Sequence, residues 1–157
     1  MRRHLVGVAA VAAALSLPAA AAAKGPSSAS IVGPGLDRQL AVAGDGEMGQ
    51  GTPLGTLVSL GGFMAQMYGQ TPSATLKTQP RGSTLGPRYR IVYVVPGPNA
   101  IRSRVVQLFY PYANPVPLTY MKPGQTYWGT RKTLGGWFRS STALRRALVQ
   151  AGLPTRR

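Results

Sequence analysis

The stretch RYRIVYVVPGPNAIRSRVVQLFY, residues 88–110, constrains the fold more than any other part of the chain. β-Branched and aromatic residues fill its two arms, and PGPNAIR, residues 96–102, separates them, so it predicts an antiparallel hairpin of Arg88–Val95 and Ser103–Tyr110. Side chains alternate across a strand, which puts Arg88, Arg90, Val92 and Val94 on one face and Tyr89, Ile91, Tyr93 and Val95 on the other. Two registers differing by one residue are open to the second arm, and a slip of one reverses every side chain. Pairing residues whose numbers sum to an even value gathers Tyr89, Ile91, Tyr93, Val105 and Phe109 into one core-facing set. The same register leaves Arg88, Arg90, Arg102 and Arg104 flanking Val92, Val94, Val106 and Leu108, and it is the register expected here.

Around this hairpin the remaining elements are short. Residues 30–43, SIVGPGLDRQLAVA, read as two extended pieces about the Gly33-Pro34-Gly35 turn, and residues 44–50 as a polar loop. Leu54, Leu57, Val58, Met64, Met67 and Tyr68 recur at helical spacing behind a Thr52 cap and Pro53, predicting a helix over 52–68 that Gly61-Gly62 weakens. Residues 71–86 read as a long loop, and further extended pieces are expected at Pro117–Tyr120 and Gln125–Trp128. A closing helix, SSTALRRALVQAGL, is bounded by a serine or threonine cap and by Gly152 and Pro154. Its apolar stripe is Ala143, Leu144, Ala147, Leu148 and Ala151, with Arg145, Arg146 and Gln150 facing away. The fold class is therefore α+β, a small antiparallel β-sheet packed with one or two α-helices; a β-sandwich with a C-terminal helix is the alternative.

The N-terminus has a different character. MRRHLVGVAAVAAALSLPAAAAAKG joins a basic start to the apolar run Leu5–Leu17, then Pro18 and the small residues Ala21-Ala22-Ala23, the pattern of a cleaved secretory signal peptide. The run is shorter than the roughly 20 residues that cross a bilayer, so no membrane span is expected in the mature protein. The organisation expected is a signal peptide at 1–23, a flexible arm at 24–30 and one exported domain at 31–157. Removal of the first 23 of 157 residues leaves 134, the size of a single domain. With no cysteine, neither disulfides nor zinc–thiolate sites can staple it, so packing alone must hold it outside the cytoplasm.

Absent residue types bound the chemistry. The one histidine, His4, lies in the signal segment, which removes imidazole acid–base work and triads of the Ser-His-Asp or Cys-His kind from the mature chain. The three carboxylates, Asp37, Asp45 and Glu47, crowd into one short segment, whereas a glycosidase needs two on opposite sides of a bond. Asp45-Gly46-Glu47 lacks the spacing of a calcium loop, so no metal site is expected, and no cofactor is implied. Ser73 and Lys77 are the nearest nucleophile pair, and their spacing does not fit a Ser-x-x-Lys motif. The expected function is noncatalytic.

Charge points to a partner. Lys and Arg number 18 against 3 acids, and every charged side chain beyond Glu47 is basic. Such a field is offset by a polyanion or by solvent. Ten of the aromatics lie between Tyr89 and Phe138, interleaved with cations; most are assigned to packing, and those in stretches read as turns, FYPYANP, TYWGTRK and GGWFR, are the surface candidates. The candidate binding residues are Arg88, Arg90, Arg102, Arg104, Tyr112, Trp128, Arg131, Lys132, Trp137 and Arg139. They suit an exported domain that associates with anionic cell-envelope polymers. The competing readings are an extracytoplasmic nucleic-acid-binding module, an enzyme or enzyme inhibitor using a Pro-rich loop, and charge that serves solubility alone.

Overall fold

The computed structural model describes residues 25–44, 51–69 and 75–155. The signal peptide expected at 1–23, the loop carrying Asp45 and Glu47, and Ser73 lie outside the described residues.

An open six-stranded antiparallel sheet organises the chain, in the order β2-β1-β3-β4-β5-β8. Its strands are β1 (Ser28–Val32), β2 (Leu40–Val42), β3 (Tyr89–Pro96), β4 (Arg102–Tyr110), β5 (Leu118–Met121) and β8 (Gly136–Arg139), while β6 (Thr126–Tyr127) and β7 (Arg131–Lys132) form a separate small hairpin. With helices α1 (Pro53–Leu60), α2 (Phe63–Tyr68) and α3 (Thr142–Gln150), the protein is an α+β fold. The helices pack on one face of the sheet, so it is not a sandwich of two sheets. Leu54, Leu57 and Val58 of α1, Phe63 and Met67 of α2, and Leu144 and Leu148 of α3 close over Ile31, Ile91, Tyr93, Val105, Phe109 and Met121 in one core.

The central hairpin takes the even register. Tyr89 pairs with Phe109, Tyr93 with Val105 and Val94 with Arg104, and Tyr89, Ile91, Tyr93, Val95, Val105 and Phe109 are all buried. The physical reason is the one that alternation gives: only this register puts both apolar sets under the helices.

Four expectations need correction. The stretch read as a flexible arm is a strand from Ser28, because Ala29 packs into the core while Ser28 and Ser30 pair with Val94 and Val92 far along the chain. The helix expected over 52–68 is two helices. Thr52 caps the first, accepting a hydrogen bond from the Gly55 amide (3.0 Å), but Gly62 takes a left-handed φ of 73° and its Cα lies against the Phe138 ring, where any Cβ would come within 2.3 Å. That break makes two helices where one was expected. GGWFR, read as a turn, supplies β8, which pairs along β5 from Leu118↔Arg139 to Met121↔Gly136. Ala151, placed on the apolar stripe of α3, is exposed, and Leu144 and Leu148 are the buried residues of that helix.

A polar network joins the helix break to the sheet. Tyr93 Oη donates to Gln107 Oε1 (2.8 Å), while Gln107 Nε2 donates to the Gly61 carbonyl (2.9 Å) and to Gln66 Oε1 (2.5 Å). Thr119 Oγ1 also donates to Gly61 (2.8 Å), and Gln66 Nε2 to the Gly136 carbonyl (2.8 Å). Gln66, Gln107 and Thr119 are fully enclosed, so these bonds satisfy groups whose burial alone would be costly.

Candidate functional site: the outer face of the sheet

Among the described residues no helix covers the face of the sheet opposite the core. Because paired residues point to the same side, register assigns its rows. Val32, Arg90, Leu108, Tyr120 and Trp137 form one row across β1, β3, β4, β5 and β8. Ser30, Val92 and Val106 form the next, followed by Ser28, Val94 and Arg104, then Pro96 and Arg102; on the other side lie Tyr110, Leu118 and Arg139. Arg90, Arg102, Arg104 and Arg139 are exposed, and Val92, Val94, Val106 and Leu108 half-buried. Arg88, also exposed, immediately precedes β3.

One end of this face is closed by loops. Leu85 and Val116 pack with Leu108, Tyr120 and Trp137 on buried Tyr110, Ala113 and Leu118, and Leu76 bridges to Trp137 as a further edge residue. Trp137 stacks with Tyr110 (centroids 5.7 Å apart) and meets Tyr120 at a tilt of 39° (4.8 Å). The open part is the stretch of β1, β3 and β4 around Val92, Val94 and Val106, with Arg90 on one side and Arg102 and Arg104 on the other.

The remaining candidates stand elsewhere. Tyr112 lies beyond the end of β4, where its hydroxyl donates to the Pro154 carbonyl and Arg145 sits 5.9 Å over its ring, so it ties down the C-terminal segment. Trp128 lies at the opposite end of the hairpin. Its amide donates to Ser103 Oγ (2.8 Å), its Nε1 to the Pro96 carbonyl (2.9 Å), and its indole rests against Gly97, where a Cβ would come within 2.4 Å. Arg131 lies 5.9 Å over the Trp128 ring, and Lys132 donates to Thr126 Oγ1; both cations are exposed. The ten candidates thus divide into the outer face with Arg88, the Trp128–Lys132 hairpin beside the Pro96–Arg102 turn, and Tyr112 alone.

Little at these places is set up for proton transfer. Asp37 is the one side-chain carboxylate among the described residues and lies in the loop between β1 and β2; Lys77 is exposed. That loop and the end of α3 line a groove of about 810 Å³, on Gly35–Ala41, Ala151 and Gly152, which includes none of the candidate residues. Tyr68, in the ring cluster with Tyr127 and Trp128, has a buried hydroxyl with no hydrogen-bond partner among the described residues. Burial first, and then Tyr127, push its pKa up to about 12, with Arg131 partly opposing, so it stays neutral at ordinary pH. Among the described residues no group of three His, Cys, Asp or Glu is placed to hold a metal ion, and no helix is long and apolar enough to cross a membrane.

Ile101, in the segment expected to separate the two arms, was missed as a surface feature because a lone aliphatic in a turn carries no periodic signal. Its 41% exposure comes from standing in the turn itself, one residue before β4. Comparison of the chain with protein-family models, with curated proteins and with solved structures gives no match.

Proposed function

We propose that this chain is a noncatalytic exported domain that associates with anionic cell-envelope polymers through the outer face of its sheet. Export rests on the signal pattern of residues 1–23. The observation that carries the binding reading is the row geometry: Arg90, Arg102, Arg104 and Arg139 share a face with the half-buried Val92, Val94, Val106 and Leu108. A phosphate- or carboxylate-bearing chain laid along β3 and β4 meets cations at both ends and apolar contact between them. A field of one sign raises the local concentration of such a polymer and speeds its encounter. Base stacking needs free ring faces, whereas Trp137 stacks on Tyr110 and meets Tyr120 at a tilt, and Trp128 is engaged by Tyr68 and Tyr127 at an angle, with Arg131 over its ring. Charge-led binding is therefore favoured over a nucleic-acid module.

The test is binding to inorganic polyphosphate and to an acidic glycan over a salt series. Affinity should fall steeply with salt, as counterion release requires. Changing Arg88, Arg90, Arg102 and Arg104 together to Glu should weaken binding by about a hundredfold or more at low salt. Changing Arg145, Arg146, Arg156 and Arg157 to Glu should weaken it much less. Equal losses from the two sets would show that net charge alone acts and that the sheet face is no site.

A further inference from the structure

Two hairpin tips meet at the end of the domain that carries Trp128. The β3–β4 turn, 97–101, and the β6–β7 turn, 128–130, are tied together by the Trp128 amide on Ser103 Oγ, the indole N–H on the Pro96 carbonyl, and the indole face on Gly97. Among the described residues, the non-glycine residues with positive φ are Asn99 (54°), Ala100 (59°) and Trp128 (48°), and all belong to these two tips. Left-handed backbone is unfavourable for residues with a Cβ, and such strain tends to concentrate where a particular shape is functional. At the apex Pro98, Asn99, Ala100 and Ile101 are exposed, and around it stand the exposed cations Arg102, Arg104, Arg131 and Lys132. No acidic residue follows Glu47 to neutralise them.

Resting on the anionic-partner reading above and naming the source of its phosphates, we infer that this double tip is an interfacial anchor that seats on an anionic lipid surface. The discriminating feature is depth. A soluble polyanion offers charge alone, whereas a bilayer offers an anionic layer above an apolar one, which matches an exposed aliphatic residue at an apex ringed by cations. Ile101 enters the boundary between headgroups and acyl chains, and the four cations meet lipid phosphates. Trp128 is half-buried with its N–H already satisfied, and its place beside the apex is where indoles favour the membrane interface. The domain lies on the bilayer and does not span it.

The test compares full-length variants on phosphatidylglycerol vesicles, on phosphatidylcholine vesicles and on inorganic polyphosphate. The apolar N-terminal segment is common to all of them, so only differences between variants are read. Ile101→Ser should lower affinity for phosphatidylglycerol vesicles by about fivefold, the loss expected for one partly exposed aliphatic side chain kept from apolar surroundings, and leave polyphosphate binding unchanged. Ile101→Trp should bind these vesicles more tightly, with indole emission that shifts to the blue on phosphatidylglycerol and not on phosphatidylcholine. Converting Arg102, Arg104, Arg131 and Lys132 to Ala should weaken binding to both phosphatidylglycerol vesicles and polyphosphate. Vesicle affinity indifferent to Ile101→Ser, or an Ile101→Trp emission that does not move, overturns the anchor even if polyphosphate still binds. Failure of the unsubstituted protein to bind either anionic probe overturns both the anchor and the broader reading.

Discussion

Along β3 and β4 the same two strands build two surfaces of opposite kind. Tyr89, Ile91, Tyr93, Val95, Val105, Gln107 and Phe109 are buried under the helices, while Arg90, Val92, Val94, Arg102, Arg104, Val106 and Leu108 are half-buried or exposed. A period of two thus separates stability from charge at single-residue resolution. Substitutions on one face should unfold the protein without a specific effect on binding, and those on the other should change binding with little effect on the fold.

The largest effect that can break this division lies in the core. Phe109→Ala should cost about 3–5 kcal/mol in urea denaturation, as truncations of enclosed aromatics do, whereas Arg104→Ala should stay within about 0.5 kcal/mol. A loss from Arg104→Ala approaching that from Phe109→Ala would mean that the arginine face is part of the core. Next in size is the buried network. Gln107→Ala deprives the Tyr93 hydroxyl and Gln66 Oε1 of partners, which should cost roughly 2–3 kcal/mol. Gln125, half-buried, accepts from the Val106 amide (2.8 Å) and donates to the Val106 carbonyl (2.7 Å). Water can replace part of that pairing, so Gln125→Ala should cost about 1 kcal/mol. Equal losses at Gln107 and Gln125 would show that the network has no special hold on the helix break.

Alkaline pH sharpens the contrast. Burial holds the Tyr93 phenol well above its ordinary value of 10.0. The folded state therefore keeps a proton that the unfolded state releases. Below the unfolded value this contribution is fully present, and as pH rises from there toward the folded value it is lost at about 1.4 kcal/mol per pH unit. Tyr93→Phe should lower stability at neutral pH by removing the bond to Gln107, but flatten the decline above pH 10 by one proton's slope, measured by urea titration at fixed pH. An unchanged slope would mean that Tyr93 ionises in the folded protein and that the inner face admits water.

The comparison of faces was legible in the sequence wherever local alternation decides. The register followed from it because only one register puts Tyr93, Val105 and Phe109 on the same side. Elements held by distant partners were legible only in part. Ser30–Val32 fell in an expected extended piece, but Ser28 and Ala29 give little strand signal, and the strand starts there because it lies between β2 and β3. Glycines around Trp137 signalled a turn, although β8 is fixed by β5 and by the Leu76 bridge. Gln66, Gln107 and Thr119 carry no signal in the sequence, and their complementarity appears only when the break at Gly61-Gly62 meets the sheet. Of the candidate site, the hairpin arginines were found together, while Tyr112 and Trp128 proved to fasten opposite ends of that hairpin. Spacing along the chain carries no information about such closures.

The smallest effect concerns what sets the register. The turn closes by a hydrogen bond from the Ile101 amide to the Pro98 carbonyl (3.1 Å), with Asn99 and Ala100 both left-handed, the hand that suits the twist of a β-hairpin. Asparagine tolerates this region, but alanine at φ 59° bears a penalty of about 1–2 kcal/mol. Glycine removes that strain and returns roughly 0.5–1 kcal/mol of it as extra freedom in the unfolded chain. Ala100→Gly should therefore stabilise the protein by about 0.5 kcal/mol. If burial of the inner face selects the register, the more permissive turn leaves the pairing of Val94 with Arg104 intact, and affinity for polyphosphate stays the same. If the strained turn selects it, Ala100→Gly lets the strands slip, Arg102 and Arg104 leave the face of Arg90, and polymer affinity falls along with stability.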